Sequence, residues 1–377
     1  MEFEVKRIGE ICKKVYSGGT PTSSNASYYD GGIPWLNTNE VNFCNIYSTN
    51  KTISEEGLNH SAAKYIPVNS VIVAMYGVTA GRSAVAKIPL TTNQACCNLI
   101  IDEEKAYYQY VYHFLRLQSD NLNKLANGGA QQNLNSLIIK KFKVSLPSLD
   151  AQHRIASILS AYDNLIENNN KRIRLLEQMA ENLYKEWFVR FRFPGHEKAE
   201  FENGLPMGWK VMKLDKILTV RYGKDHSKIE DGDIPILGSG GIMRFGNKEL
   251  YASESVLIPR KGSLNNIMYI DEPFWTVDTM FFTEMKYKNI AKYVYYVLSG
   301  IDMESFNSGA ALPSMTTNIL NHFKVILPSE DVLALFDEKV ELLFLQKKKL
   351  IQQNTLLSRQ RDLLLPRLMS GKLEVNV

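Results

Sequence analysis

The sequence predicts an α+β protein in which two repeated α/β domains are separated by two long antiparallel coiled-coil helices, related by a pseudo-two-fold axis. Three observations lead to this prediction. The 377-residue chain contains an internal repeat, each copy of the repeat ends in a long segment without proline or glycine, and apolar residues in both segments follow a coiled-coil spacing. The length also suits two domains, because single cores stop growing near roughly 250 residues.

The repeat is clearest where each copy closes. Residues 142–148, with the sequence FKVSLPS, recur 181 positions later as residues 323–329, with the sequence FKVILPS. Upstream at the same offset, the small-residue segment 128–134 corresponds to residues 309–315. The similarity therefore extends beyond one motif.

The two copies also begin with similar sequences, but they differ between their opening and closing motifs. Residues 3–11 match residues 209–217, and Ile33-Pro34 corresponds to Ile234-Pro235. Short β-branched or aromatic runs between Gly, Asn and Ser turns predict strands at 70–75, 98–101, 255–258 and 279–283. A shared scaffold with different loops is what two readers of different targets need.

Each copy is followed by a predicted long helix. The segments 150–187 and 330–365 contain neither proline nor glycine. Ser148 and Ser329 are the expected N-caps, and acidic residues in the first turn suit the helix dipole. Pro366 and Ser370-Gly371 are expected to end the second helix.

Apolar stripes on both helices predict that the helices pair. The stripe on the second helix consists of Phe336, Val340, Leu343, Lys347, Leu350, Asn354, Leu357, Arg361 and Leu364, and the stripe on the first consists of Ile155, Ile158, Tyr162, Leu165, Asn169, Ile173, Leu176, Ala180, Leu183 and Trp187. Asn169 and Asn354 interrupt the stripes and are expected either to meet across the seam and fix its register, or to be two exposed polar positions.

These patterns give a domain map. The expected boundaries are a first domain at 1–148, a central spacer helix at 149–190, a linker at 191–207, a second domain at 208–328, and a C-terminal spacer helix and tail at 329–377.

Composition indicates a soluble globular protein, which we expect in the cytoplasm. The chain is 45% hydrophobic and 22% charged, and no apolar run approaches the roughly 20 residues that a membrane helix needs. The first residues lack the pattern of a secretory signal, and the four cysteines have no framework or zinc spacing, which favours small buried thiols. A net charge of +4 permits nucleic-acid binding without demonstrating it.

The sequence contains none of the common catalytic motifs. The sequence has no phosphate-binding loop, no dinucleotide-binding glycine motif, no methyltransferase loop of the Asn-Pro-Pro-Tyr type and no metal-ligand spacing among its six histidines. Asp278 followed by Glu284 and Lys286 resembles a nuclease Mg²⁺ site only loosely, and we interpret it as solvated charge. Residues 337–339 are likewise interpreted as surface charge on a helix. No catalytic residue and no metal ligand is therefore expected.

The remaining candidates are polar side chains suited to base edges in DNA. Arg and Lys can read guanine, and Asn and Gln can read adenine, in the major groove. His226 belongs to a basic loop. The predicted DNA-binding residues are Thr20, Asn37, Asn39, Arg82, Asn93, Gln94, Gln131, Gln132 and Asn133 in the first copy, and Lys224, His226, Lys228, Arg244, Arg260, Lys261, Asn265 and Asn266 in the second.

With the repeat and the helices in place, the whole chain resembles the specificity (S) subunit of type I restriction-modification systems. The resemblance rests on the two closing motifs, on residues 183–188 running to Phe193-Pro194-Gly195, on the second-copy opening Gly208-Trp209-Lys210, and on the ending 363–371. Phe3 departs from the tryptophan that is usual in the family.

The resemblance implies two target recognition domains, each reading one half of a split double-stranded DNA site. It implies two methyltransferase (M) subunits docked on the helices and restriction (R) subunits in the full complex. No cofactor is expected on this chain, since S-adenosylmethionine, ATP and Mg²⁺ belong to the partner subunits. The alternatives are a single-chain enzyme, which the missing motifs disfavour, and a coiled-coil assembly scaffold without DNA recognition, which would not need two divergent loop-bearing domains.

Overall fold

The chain divides into two compact units. The structure, a computed structural model, describes residues 2–125, 134–307 and 313–375. Unit 1 comprises Met1–Asn169 and Gln352–Val377, and unit 2 comprises Asn170–Ile351. Each unit holds one copy of the repeat with parts of both long helices, so the predicted α+β class is confirmed. Among the described residues, none of the helices has both the length and the apolar character needed to cross a bilayer.

Unit 1 is built on a five-stranded sheet in the order β2-β9-β6-β7-β4, a three-stranded sheet in the order β5-β3-β8 and the pair β1-β10. Its elements are β1 Glu4–Arg7, β2 Cys12–Ser17, β3 Tyr29–Leu36, β4 Cys44–Ile46, β5 Lys51–Ile53, α1 Glu55–Asn59, β6 Val71–Ala74, β7 Ser83–Ala86, β8 Thr91–Thr92, β9 Cys96–Ile101, α2 Tyr108–Leu117, α3 Ser119–Lys124, α4 Ser136–Lys141, β10 Lys143–Leu146 and the start of α5 Leu149–Tyr184.

Unit 2 contains sheets in the orders β14-β20-β17-β18 and β16-β15-β19, with the pairs β13-β21 and β11-β12. Its elements are β11 Phe201–Glu202, β12 Leu205–Pro206, β13 Lys210–Lys213, α6 Leu214–Ile217, β14 Leu218–Tyr222, β15 Ile234–Gly238, β16 Gly241–Gly246, β17 Ser255–Pro259, β18 Met268–Ile270, β19 Trp275–Thr276, β20 Met280–Met285, α7 Ala291–Ser299, α8 Thr317–Asn321, β21 Lys324–Leu327 and the start of α9 Glu330–Met369.

The repeat seen in the sequence is confirmed by equivalent contacts in the two units. The opening and closing segments pair antiparallel in both, β1 with β10 and β13 with β21. In each unit a buried tyrosine donates its hydroxyl to a carbonyl of the closing strand, Tyr110 to Ser145 at 2.8 Å and Tyr293 to Ile326 at 2.5 Å. The motif that recurs 181 positions apart therefore closes each domain and leads directly into a long helix.

The long helices begin where the sequence predicts. Ser148 accepts a hydrogen bond from the Ala151 amide at 3.4 Å, and the Ser329 carbonyl accepts the Leu333 amide at 3.1 Å. Helix α5 continues into a π-helical turn, Lys185–Val189, that carries the buried Trp187 and Phe188. A π-turn rotates the following side chains relative to the α-helical face, which here directs both rings into the core of unit 2.

The predicted antiparallel pairing is confirmed within each unit. Asp163 of α5 lies 2.6 Å from Arg361 of α9 in unit 1, and Glu177 lies 2.7 Å from Lys347 in unit 2. Residue numbers fall along α9 as they rise along α5, so the helices run in opposite directions.

The polar pair on the seam is also confirmed. Asn169 Nδ2 donates to Asn354 Oδ1 at 2.9 Å and to Gln353 Oε1 at 3.1 Å, and Asn169 is only 5% exposed. The alternative interpretation of two exposed polar positions is wrong. A buried amide pair penalises any sliding of the helices, because a slip leaves both groups unsatisfied.

The prediction that the apolar stripe on α5 is buried is wrong at two positions. Ile158 is 38% exposed and Leu165 is 51% exposed, whereas Ile155, Ala156 and Leu159 are fully buried. The first turns of α5 pack against the core of unit 1 as well as against α9. The buried face is therefore set by two partners, and the heptad spacing accounts for only one of them.

The expectation that Pro366 ends the second helix is wrong. Helix α9 passes through Pro366 to Met369, and Gly371, with φ of 72°, follows its end. Proline costs a hydrogen bond within a helix, but Leu365 and Leu368 are 5% and 1% exposed in the core of unit 1. Burial of these side chains stabilises the last turn despite the proline.

Candidate nucleic-acid interface

In unit 1, loops meet where two parallel strands end. Strands β3 and β8 run parallel, so their carboxyl ends lie side by side. Directly beyond them, the Asn93 amide donates to the Leu36 carbonyl at 2.9 Å, and Asn93 Nδ2 donates to Asn37 Oδ1 at 3.2 Å. We call residues 18–20, 37–40, 76–79 and 93–94 the first loop cluster.

Several predicted residues belong to this cluster. Thr20, Asn39 and Gln94 are exposed, while Asn37 and Asn93 are half-buried and bind each other. Arg82 is half-buried and donates to Asn42 Oδ1 at 2.7 Å. Gln131, Gln132 and Asn133 lie outside the described residues.

A second loop cluster occupies the same strand ends in unit 2. Strands β15 and β19 run parallel, the Val277 amide donates to the Leu237 carbonyl at 2.9 Å, and the Lys224 amide donates to the Thr276 carbonyl at 2.8 Å. We define this cluster as residues 223–229, 238–241, 260–266 and 277–278. Lys224 and Lys228 are exposed, and His226, Arg260 and Lys261 are half-buried.

Three residues of the second copy that were predicted to bind DNA form hydrogen bonds within unit 2 instead. Arg244 donates to the carbonyls of His226 and Ile229, both at 2.8 Å, and so holds the basic loop in place. Asn266 donates to the Ser239 carbonyl at 2.8 Å. Asn265 donates to Asp302 at 3.0 Å and accepts the Met303 amide at 2.7 Å, so it orients a neighbouring turn.

The two clusters share a backbone framework. A Cβ on Gly18 would lie 2.1 Å from the Thr92 carbonyl oxygen, and one on Gly223 would lie 2.6 Å from the Thr276 carbonyl oxygen, so only glycine fits at either position. The next residue in each copy donates its amide to the same threonine carbonyl. The scaffold is thus repeated, while the exposed side chains differ.

Sequence reasoning missed a basic groove in unit 1. The groove measures about 650 Å³, and its lining includes Lys13, Lys14, Lys64 and Lys140 beside Tyr16 and Tyr65. Only the adjacent Lys13-Lys14 pair indicates it in the sequence, because Lys64 lies in a loop and Lys140 lies in helix α4, both distant from that pair along the chain. Four ammonium groups around one groove favour a polyanionic partner.

A buried polar network joins the α/β domain of unit 1 to both long helices. Asp163 of α5 accepts hydrogen bonds from Arg361 of α9 at 2.6 Å and from Arg116 of α2 at 3.3 Å. His113 of α2, 1% exposed, lies 3.1 Å from Ser160 Oγ and 3.9 Å from Asp163. Three elements are therefore connected through one carboxylate.

Burial, with the nearby Arg116 and Arg361, lowers the pKa of His113 from 6.5 to about 3. The imidazole is neutral when folded and gains a proton on unfolding, so its contribution is complete above pH 6.5 and is lost as the pH falls towards 3. We therefore expect the free energy of unfolding to fall between pH 7 and pH 5 by about 2 kcal/mol more in the wild type than in the His113→Gln variant. Urea titration of both proteins at the two pH values measures this difference. Equal pH dependence in the two proteins would contradict this assignment.

Unit 2 uses a different network, which connects its α/β domain to α9. The Lys292 side chain of α7 is 4% exposed and lies 2.8 Å from Asp337 and 2.9 Å from Glu341 of α9. Burial by itself lowers the pKa of Lys292, but these hydrogen bonds raise it above its ordinary value. The interpretation of Asp337 as plain surface charge is therefore wrong, because this carboxylate neutralises a buried ammonium.

The loose nuclease pattern does not form a metal site. Glu284 is paired with Arg221 at 3.0 Å, and Lys286 donates to the Asp215 carbonyl. Among the described residues, no group of three or more His, Cys, Asp or Glu side chains is placed to hold a metal ion. Cys96 and Cys97 are buried as expected, whereas Cys12 and Cys44 are only half-buried, and burial raises the pKa of the Cys97 thiol to about 12.

Comparison with known proteins decides the family. A family model described as the type I restriction modification DNA specificity domain matches residues 1–178 and 206–358, one match for each copy of the repeat. This chain belongs to that family. The resemblance inferred from the motifs is confirmed, and the two repeats of this specificity chain are target recognition domains.

Named relatives of this specificity chain agree with the assignment. The MjaIX specificity subunit of Methanocaldococcus jannaschii is 27% identical over 99% of this chain and 94% of its own length. The EcoR124I/EcoR124II specificity subunit of Escherichia coli is 29% identical over 52% of this chain and 50% of its own length. The crystal structure of a type I S subunit from M. genitalium superimposes with a TM-score of 0.64 at 18% identity, covering 98% of this chain and 96% of that one, which supports the fold.

Proposed function

We propose that this chain is the non-catalytic DNA sequence-specificity subunit of a type I restriction-modification complex. It binds a bipartite double-stranded DNA site, with one half-site for each recognition domain, and directs partner methyltransferase and endonuclease subunits to that site. The observation that carries the proposal is the pair of loop clusters, which place different side chains on one repeated backbone framework. S-adenosylmethionine, ATP and Mg²⁺ are bound by the partner subunits.

The two clusters present different recognition chemistry. Thr20, Asn39 and Gln94 offer neutral donors and acceptors in the first, whereas Lys224 and Lys228 offer exposed cations in the second. Neutral amides suit adenine, and cations suit guanine and phosphate. Two readers with different side chains imply two different half-sequences.

The long helices supply the surface for the methyltransferase subunits in this proposal. Leu175, Met179 and Leu342 in unit 2 are 58%, 56% and 60% exposed, and Leu356 and Leu363 in unit 1 are 59% and 62% exposed. Large apolar side chains exposed along a helix are favourable sites for a partner helix, because docking removes them from water.

The central test changes one cluster at a time in the complete complex with its methyltransferase subunits. The recognised site is first read from the methylated positions of the host genome. Lys224→Ala or Lys228→Ala is then expected to relax recognition of one half-site, and Gln94→Ala that of the other, at about 1 to 3 kcal/mol for a base-reading residue. Equal loss at both half-sites, or binding of specific and scrambled duplexes with the same affinity, would contradict the proposal.

The basic groove of unit 1 has a different expected effect. Lys13→Ala combined with Lys14→Ala is expected to weaken binding of all duplexes alike and to reduce the slope of log K against log salt by about 2, since each phosphate contact releases about 0.9 counterion. Titrations at several salt concentrations measure this slope. Lys288→Ala, an exposed lysine of unit 2, is the control and should leave the slope unchanged. A specificity change in the double variant would show that these lysines read bases.

A further inference from the structure

A β-ribbon in unit 2 exposes large apolar side chains. Strands β15 and β16 pair antiparallel, with Gly238 opposite Gly241 at the turn. Ile242, Met243 and Phe245 of β16 are 58%, 57% and 49% exposed. The register shifts between Ile236 and Leu237, so Met243 is a bulge residue of β16, and both Ile242 and Met243 are exposed at the tip of the ribbon. Such a concentration of exposed apolar side chains marks an interaction surface.

The ribbon is part of the second loop cluster. Strand β15 ends at the same edge as its parallel neighbour β19, where the Lys224 amide is bound. At the turn, the Ser239 carbonyl accepts a hydrogen bond from Asn266 at 2.8 Å. Arg244 of β16 binds the carbonyls of His226 and Ile229, and this fixes the ribbon to the basic loop.

The surroundings of the ribbon favour DNA as its partner. Lys224 and Lys228 are exposed beside it on the loop that Arg244 holds, and Arg260 and Lys261 follow β17 on the segment 260–266, which Asn266 joins to the ribbon turn. Lys261 has Asp278 at 4.0 Å as a weak partner. A two-stranded ribbon is also one of the two elements that the major groove, about 12 Å wide, admits.

The first recognition domain differs at the corresponding position. Leu36 and Leu237 accept equivalent amides, from Asn93 and Val277, so the residues after them correspond. In unit 1 this position begins the polar segment Asn37-Thr38-Asn39-Glu40, whereas in unit 2 it begins the turn of the apolar ribbon.

We propose, resting on the proposed function above, that this ribbon enters the major groove of one half-site and that Ile242 and Met243 contact the C5-methyl groups of thymines there. The thymine methyl is the apolar feature of the major-groove edge, and apolar side chains read it by contact. The half-site read by unit 2 therefore contains at least one A·T pair that is recognised through its methyl group.

Deoxyuridine substitution tests this directly, because it removes only the methyl group from a thymine. Each thymine of both half-sites is replaced in turn, and duplex binding is measured for the complete complex with its methyltransferase subunits. For the wild type we expect at least one replacement in the unit 2 half-site to raise Kd about fourfold, the effect of leaving one methyl group unburied. Ile242→Ala or Met243→Ala should bind the thymine and deoxyuridine duplexes equally at that position.

Met207→Ala, which removes an exposed apolar side chain of unit 2 outside the ribbon, is the matched control and should retain the fourfold difference. The proposal would be overturned if the wild type bound every deoxyuridine duplex with unchanged affinity, or if the unit 2 half-site contained no A·T pair. It would also be overturned if both ribbon variants remained sensitive to deoxyuridine. Loss of methyltransferase binding in the ribbon variants without a deoxyuridine effect would assign the ribbon to a protein partner instead. Failure of the proposed function is distinct, since the wild type would then not discriminate specific from scrambled DNA.

Discussion

Adding one turn to both long helices is expected to increase the spacing of the methylated half-sites. We predict that a chain with four helix-forming residues inserted after Gln178 and four after Gln346 directs methylation to sites with unchanged half-sequences and a spacer one or two base pairs longer. Four residues add about 6 Å at 1.5 Å per residue, and one base pair occupies about 3.4 Å. The prediction follows from the proposed function, because α5 and α9 are the continuous elements that leave each recognition domain.

The two insertion points are chosen from the structure. Glu177 lies 2.7 Å from Lys347, so Gln178 and Gln346 are at the same level of the helix pair. Insertion at matched levels preserves the Asn169–Asn354 pair on one side and the packing around Phe336 on the other. Four residues also rotate the chain by about 40° beyond a whole turn, and matched insertions apply this change to both helices.

Methylome sequencing of cells that express the extended complex measures the outcome. A chain extended only after Gln178 is the control, and we expect it to lose methylation because the seam can no longer align on both sides of the insertion. If the doubly extended complex methylates sites with the original spacer, helix length does not set the distance between the half-sites.

Truncation of Phe336 is expected to produce the largest loss of stability. Phe336 is 0% exposed, and its ring lies 4.8 Å from Phe188 and 5.9 Å from Trp187, which joins α9 to the end of α5. Phe336→Ala should lower the free energy of unfolding of unit 2 by about 3 to 5 kcal/mol, since it removes a buried ring and leaves a cavity between the two helices.

Urea unfolding followed by tryptophan fluorescence measures this effect, because Trp187, Trp209 and Trp275 all lie in unit 2. Leu342→Ala is the control on the same helix, where the side chain is 60% exposed, and should change stability by less than about 0.5 kcal/mol. Similar losses in both variants would mean that Phe336 does not hold the helices together.

The repeat, the strands at 70–75, 98–101 and 279–283 and the starts of both long helices could be predicted from the sequence, whereas the sequence left open whether Asn169 and Asn354 meet. These features depend on short-range patterns: residue periodicity, helix capping and identical motifs at a fixed offset. Each is a local preference that the tertiary structure reinforces, so one copy of the repeat predicts the other.

Tertiary contacts determine which face of α5 is buried near Ile158, why α9 passes through Pro366, and which polar residues are available to a ligand. Arg244 and Asn265 carry the right chemistry for DNA, but they lie near carbonyl and carboxylate groups from loops distant in sequence and bind those instead. The basic groove likewise gathers Lys14, Lys64 and Lys140 from separate segments. Such contacts join residues far apart in the chain, and local periodicity carries no information about them.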